Sequence, residues 1–131
     1  WLGLVGSEMC IRDSYKLFVT IIGEPISNKS DVKFGMVMDF DNLKKIVKSE
    51  IINEFDHSVI FNKNSPHREL ADELIKNGHK VILANYQPTI EEMIVDFAKR
   101  ISSKLPAEIK LHSLRLEETE TSYSEWFAAD N

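Results

Sequence analysis

The sequence predicts an α+β domain, an antiparallel sheet with helices packed on one face. Three observations carry this. Runs rich in aromatic and β-branched residues lie towards both ends of the chain. Between them lie stretches with apolar residues three or four apart, opened by residues suited to helix starts. The resulting order, β-β-α-α-β-α-β-β, groups strands and helices rather than alternating them regularly, which is the α+β pattern.

Each element has a local reason. Tyr15 to Ile22 reads as a strand closed by Gly23, and Glu24 to Lys33, polar and holding Pro25, as a loop. Val32 to Met38 reads as a second short strand. Asp39 or Asp41 then caps a helix, since a carboxylate accepts from the free N–H groups of a first turn. Leu43, Ile46, Val47, Ile51 and Phe55 form its apolar stripe. Pro66 to Asn77 suits a second helix, with Pro near its first turn and Gly78 just past its end. Lys80 to Tyr86 reads as a strand. Thr89 opens a long helix, with Glu92 at capping-box spacing, a stripe of Met93, Ile94, Phe97 and Ile101, and Pro106 as its stop. Ile109 and Leu111 alternate, then Leu114 and Leu116 alternate in the opposite phase, so a bulge is expected near His112-Ser113. Thr121 to Phe127 reads as the last strand.

The bulk properties limit the function classes. A chain of 131 residues suits one domain with a real core. A net charge of −5 argues against a broad electrostatic grip on nucleic acid or an anionic membrane. Interleaved basic and aromatic residues, the mark of a nucleic-acid module, are absent. Charges interrupt every apolar run, so no membrane span is expected. The single Cys excludes an internal disulfide and fits a reducing cytoplasm. Asn28-Lys29-Ser30 is formally a glycosylation sequon, without a secretory signal to give it meaning.

Five short segments in fixed order carry a functional signal: Ser14-Tyr15, Gly35 to Phe40, Asp56-His57, Pro88-Thr89-Ile90-Glu91 and Glu118-Thr119. Together they resemble the 6-pyruvoyl-tetrahydropterin synthase and 6-carboxytetrahydropterin synthase family over residues 14–131. The resemblance implies the tunnelling fold (T-fold), with subunits joined edge to edge into homo-oligomers, hexamers or tetramers, and sites at their interfaces. It implies 7,8-dihydroneopterin triphosphate as substrate and zinc as cofactor. The Thr121-to-Trp126 ending and the long Asp-His to Pro-Thr spacing favour 6-carboxytetrahydropterin synthase, of the queuosine pathway. 6-Pyruvoyl-tetrahydropterin synthase, from the same substrate, is the alternative.

The motifs have structural readings beside the functional ones. A carboxylate next to an imidazole can hold its tautomer and raise its basicity, which suits Asp56 and His57 to proton transfer. Standing alone, the pair reads first as a polar helix end. A carboxylate accepts two parallel hydrogen bonds from an amino-pyrimidine edge, and the resemblance gives Glu118 this role towards a pterin. Glu117 and Glu120 confuse the register, but alternation puts Glu118 on the face of Leu116. Its plain reading is a solvated strand end. Thr89 is fully explained as an N-cap, and the resemblance makes the same turn line the pterin pocket. Asp39, in the segment similar to Gly-x-x-x-Asp-Phe, reads as a cap.

The metal is where the chain departs from the family. The His-x-His of the family falls on Ile11, Arg12 and Asp13, its catalytic Cys falls on Ser7, and the strand bearing the remaining zinc-binding His is expected to be missing. His57, His67, His79 and His112 lack the spacing that would put two imidazoles on one strand face. No metal ligand is therefore expected, and a catalytically silent pterin-binding or self-associating domain is a further alternative. Residues 1–13 read as non-native. Met9-Cys10-Ile11-Arg12-Asp13 back-translates to a transposon-based sequencing adapter, which leaves Cys10 without a role. Leu2, Leu4 and Val5 could nevertheless lay this segment along the vacant sheet edge.

Overall fold

The computed structural model of the chain describes residues 3–10 as backbone only, and residues 15–25, 27, 29–30, 37–55, 58–119 and 121–131 in full. Two strands open it, β1 (Gly3–Cys10) and β2 (Lys16–Gly23). A long helical segment follows as α1 (Phe40–Val47), a π turn (Lys48–Ile52) and α2 (Asn53–Phe55). Then come β3 (Val59–Asn62), α3 (Arg68–Lys76), β4 (Val81–Ala84) and α4 (Ile90–Lys104). Strands β5 (Lys110–Glu117) and β6 (Tyr123–Phe127) end the fold, with a 3-10 turn at Ala128–Asp130.

The main sheet is antiparallel in the order β1-β2-β5-β6, and β3 and β4 pair in parallel as a separate small sheet. The main sheet buries one face. Leu17, Val19 and Ile21 of β2 and Leu111, Leu114 and Leu116 of β5 are at most 5% exposed. They meet Leu43, Val47, Ile51 and Phe55 of the first helical segment and Met93, Ile94, Phe97 and Ile101 of α4 in one core. The expected architecture, helices on one face of an antiparallel sheet, is what forms.

The apolar stripe of the first helical segment advances four residues at a time, from Leu43 to Phe55. An α-helix turns in 3.6 residues, so such a stripe would drift round the helix. The wider π turn at Lys48–Ile52 takes up part of that drift, and all four side chains end buried. Asp39 caps the segment, its Oδ1 accepting from the Asp41 N–H at 2.9 Å. On α4 the Thr89 hydroxyl accepts from the Glu92 N–H at 3.3 Å, while the Thr89 N–H goes to the Gln87 carbonyl at 2.7 Å. The bulge lies at the expected place. Thr20 faces Ser113 but Ile21 faces Leu111, so His112 is the extra residue that lets Leu111 and Leu114 both point inward.

Three expectations change. The edge predicted to lack its first strand carries β1, paired antiparallel with β2 from Gly3↔Gly23 to Cys10↔Lys16. A bare edge would leave a row of β2 amides and carbonyls unpaired, and any extended segment within reach can satisfy them. Strand β3 was not anticipated. Of the strand expected over Val32 to Met38, residues 31–36 lie outside the described ones, and Val37 and Met38 form a buried bend.

Candidate functional site

A cavity of about 230 Å³ opens between the start of β2, the end of α2 and the start of α4, walled by Tyr15, Phe55, Ser58, Val59, Ile60, Pro88 and Met93. Three of the motif segments supply or flank its walls. Tyr15 belongs to the first. Phe55 and Ser58 stand immediately before and after Asp56-His57. Pro88 belongs to the third. The volume lies below the roughly 300–1,000 Å³ of pockets for drug-sized ligands. Its lining is mainly apolar.

Asp56 and His57 themselves lie outside the described residues. Their flanks are closely tied. Ser58 is 2% exposed and bonds the Phe55 carbonyl twice, from its N–H at 3.2 Å and from its hydroxyl at 2.6 Å. Two donors on one carbonyl fix the distance between the chain's entry to the dipeptide and its exit. Phe55 is buried against Phe97, edge to face at 5.1 Å between ring centres.

Thr89 is exposed and its hydroxyl is spent on the helix cap, so its neighbour Pro88 is what faces the cavity. Glu118 is exposed and stands outside the cavity's walls, one step beyond the Lys16–Glu117 pair and so beside Tyr15 across the β2–β5 ladder. Its N–H bonds the Ser122 carbonyl at 2.9 Å, closing the turn into β6. Glu117 pairs with Arg115, Nε to Oε1 at 3.0 Å, on the face away from the core. Arg115 also pairs with Glu125 at 3.2 Å and lies 3.8 Å over the Tyr123 ring. Glu118 is the first residue past the end of β5. Glu120 is outside the described residues.

Sequence reasoning missed a charged group behind the cavity. The Tyr86 hydroxyl donates to Asp96 Oδ2 at 2.7 Å, and Arg100 Nε donates to Asp96 Oδ1 at 3.0 Å. Arg100 also pairs with Glu54 and stacks 5.1 Å from the centre of the Phe55 ring. Burial, and then the hydrogen bond to Asp96, push the Tyr86 phenol well above its ordinary value. Burial works against the Arg100 charge, but Asp96 and Glu54 outweigh it and hold the guanidinium protonated. The one visible signal was the i,i+4 spacing of Asp96 and Arg100 on a predicted helix.

The described histidines lie on separate elements. His67 precedes α3 and His79 follows it, so nine helical residues, about 14 Å, separate them. His112 sits in the β5 bulge with its Nδ1 3.2 Å from the Ser113 hydroxyl. Among the described residues no group of three His, Cys, Asp or Glu side chains could hold a metal ion. The zinc that the resemblance implies thus has no matching ligand set among them. No helix among the described residues is long and apolar enough to cross a membrane.

An α+β fold with the motif residues Tyr15 and Pro88 beside one small cavity marks a class of protein that comparison with known proteins identifies. Residues 13–128 match the family model for 6-pyruvoyl tetrahydropterin synthase, and the chain belongs to that family. The 6-carboxy-5,6,7,8-tetrahydropterin synthase of Haemophilus influenzae is 35% identical over 114 residues, covering 86% of this chain and 78% of that protein. The protein of the same name from Rickettsia typhi is 31% identical over 114 residues, covering 85% and 78%. The crystal structure of an uncharacterized protein from Wolinella succinogenes superposes with a TM-score of 0.74 at 14% identity, over 98% of this chain and 99% of that one.

Proposed function

We propose that this chain acts as a 6-carboxytetrahydropterin synthase on 7,8-dihydroneopterin triphosphate, taking the pterin ring into the cavity beside Tyr15, Phe55 and Pro88. The single observation that carries this reading is one cavity of about 230 Å³ lined by the motif residues Tyr15 and Pro88 and by Phe55 and Ser58, the residues on either side of Asp56-His57. The names of the relatives support the choice of product. In this reading Phe55, Val59, Ile60 and Met93 exclude water from the ring faces, which strengthens any hydrogen bond made at its edge. The Glu118 carboxylate accepts from the amino-pyrimidine edge. His57, with its tautomer held by Asp56, moves protons at the substrate side chain. We assign no step to a metal, because the described residues do not supply its ligands. The chain is also taken to work as a homo-oligomer, joined along sheet edges.

The test is product analysis of the purified chain with 7,8-dihydroneopterin triphosphate, beside its zinc content and its affinity for neopterin read by pterin fluorescence. Formation of 6-carboxytetrahydropterin upholds the proposal. The 6-pyruvoyl product overturns the choice within the family. Neopterin binding with neither product makes the chain a silent binder. Glu118→Gln is expected to weaken neopterin binding about tenfold, the order of a lost charge-assisted pair, while Glu117→Gln leaves it unchanged. Equal effects of the two would remove Glu118 from the site.

A further inference from the structure

Arg100 has more receivers than an ordinary surface ion pair. Its Nε goes to Asp96 one turn earlier on α4 at 3.0 Å. A terminal nitrogen pairs with Glu54, and the same nitrogen donates to the Glu50 carbonyl inside the π turn at 3.3 Å. The guanidinium plane lies over Phe55. Every one of these partners except Asp96 belongs to the last two turns of the first helical segment, just ahead of Phe55 and the tied Phe55–Ser58 turn. A planar fork with several fixed donors can make all these contacts at once; an ammonium cannot. A cation is also favoured there by the carbonyl end of the helix. Through its other oxygen Asp96 holds Tyr86, two residues before Pro88. The group therefore touches the Phe55 wall of the cavity directly, and through Tyr86 it holds the chain two residues ahead of Pro88.

We infer that Arg100, held by Asp96, is a positioning residue for the pterin cavity. It fixes the Phe55 wall against the Pro88 wall, so that the segment entering Asp56-His57 starts from a set point. The inference deepens the pterin reading and rests on it. It explains why a charged cluster lies behind an apolar wall: Phe55 gains a stacked cation on one side and the Phe97 edge on another, and neither partner enters the cavity.

The experiment uses the full chain and compares Arg100→Lys and Tyr86→Phe with Arg68→Lys. Arg68 also makes an i,i+4 bridge, to Asp72 and in the opposite order along the helix, but on α3 and with both side chains about half exposed or more (48% and 61%). Two quantities are read: the neopterin dissociation constant, and amide hydrogen exchange at Ser58 relative to Val19 in central strand β2. Arg100→Lys is expected to raise the dissociation constant about tenfold, the order of a charge-assisted hydrogen bond, and to speed exchange at Ser58 selectively. Tyr86→Phe is expected to raise the dissociation constant by a smaller factor, since it severs only the Pro88 side. Arg68→Lys is expected to change neither. A purely structural role would speed exchange at Ser58 and Val19 together and leave the affinity of the folded protein unchanged, and that result overturns the inference. If the unaltered chain does not bind neopterin, the functional reading fails. The exchange ratio then decides alone: selective loss at Ser58 upholds the positioning of the turn, and uniform loss removes it.

Discussion

Tyr86 shows how a residue can be placed correctly by sequence and still be misjudged. It was expected at the end of a strand, and it follows β4 closely. Nothing in its neighbours announced the hydrogen bond to Asp96, ten residues on across a turn. That bond gives a prediction for pH. Burial and the Asp96 carboxylate raise the phenol above its ordinary value of 10.0. The folded state then holds the proton more tightly than the unfolded state. The associated stability is fully present below about pH 10 and drains away as pH rises towards the folded-state value. Urea unfolding from about pH 8 to about pH 11 should show a steeper fall in midpoint for the unaltered chain than for Tyr86→Phe. Parallel curves would mean the phenol is not held as the structure indicates. Glu117 illustrates the opposite case. Alternation along β5 sets Glu117 on the outer face with Arg115, because the period of a strand is two and Leu114 and Leu116 are buried. Alternation is local, and the Arg100 group is not.

At the scale of elements, legibility followed the length and punctuation of each segment. Helix α4 was readable from its cap to its stop because Thr89, a four-residue stripe and Pro106 agree. The β5 bulge was readable because one residue shifts the burial phase. Strand β3 was not, because four residues with a Val-Ile-Phe run carry no period that separates strand from helix. The π turn was not, because the same stripe fits an ordinary helix on paper. Helix α3 ends as predicted, and its end can be tested. Gly78 has φ of 83°, its N–H bonds the Ile75 carbonyl at 3.1 Å, and the His79 N–H bonds the Leu74 carbonyl at 3.0 Å. This pair of bonds needs a left-handed residue after the cap. An added Cβ would meet nothing within 4 Å, so the cost of Gly78→Ala is backbone strain alone, about 1–2 kcal/mol. Gly78→Asn should cost less, since Asn tolerates this conformation better. Urea denaturation of the three chains checks the order Gly, Asn, Ala; equal stabilities would mean that the left-handed turn does not form.

Among the described residues the main sheet has β1 and β6 as its outer strands and one face covered by helices. The other face is neither core nor ordinary surface. It carries Phe18, Thr20, Arg115, Glu117, Glu125 and Phe127, with paired charges between half-exposed apolar groups. A sheet with open ends either blunts them or pairs them with another copy. Tyr123 and Phe127, 47% and 39% exposed, stand on that outer face on either side of Glu125, where a second copy could cover them. Order along the chain was enough to predict the layers, but a contact between chains would leave no period in one sequence. Self-association through the β6 edge would continue the sheet and set Glu118, at the mouth of the β5–β6 turn, close to a neighbouring copy. Sedimentation velocity at about 1–100 µM is expected to show a species several times the chain mass of 15.1 kDa. Tyr123→Lys with Phe127→Lys should shift it towards the single chain by placing like charges along the joined edge. A single-chain mass before substitution would sink the assembly reading, while an assembly untouched by the two lysines would move the contact to another surface.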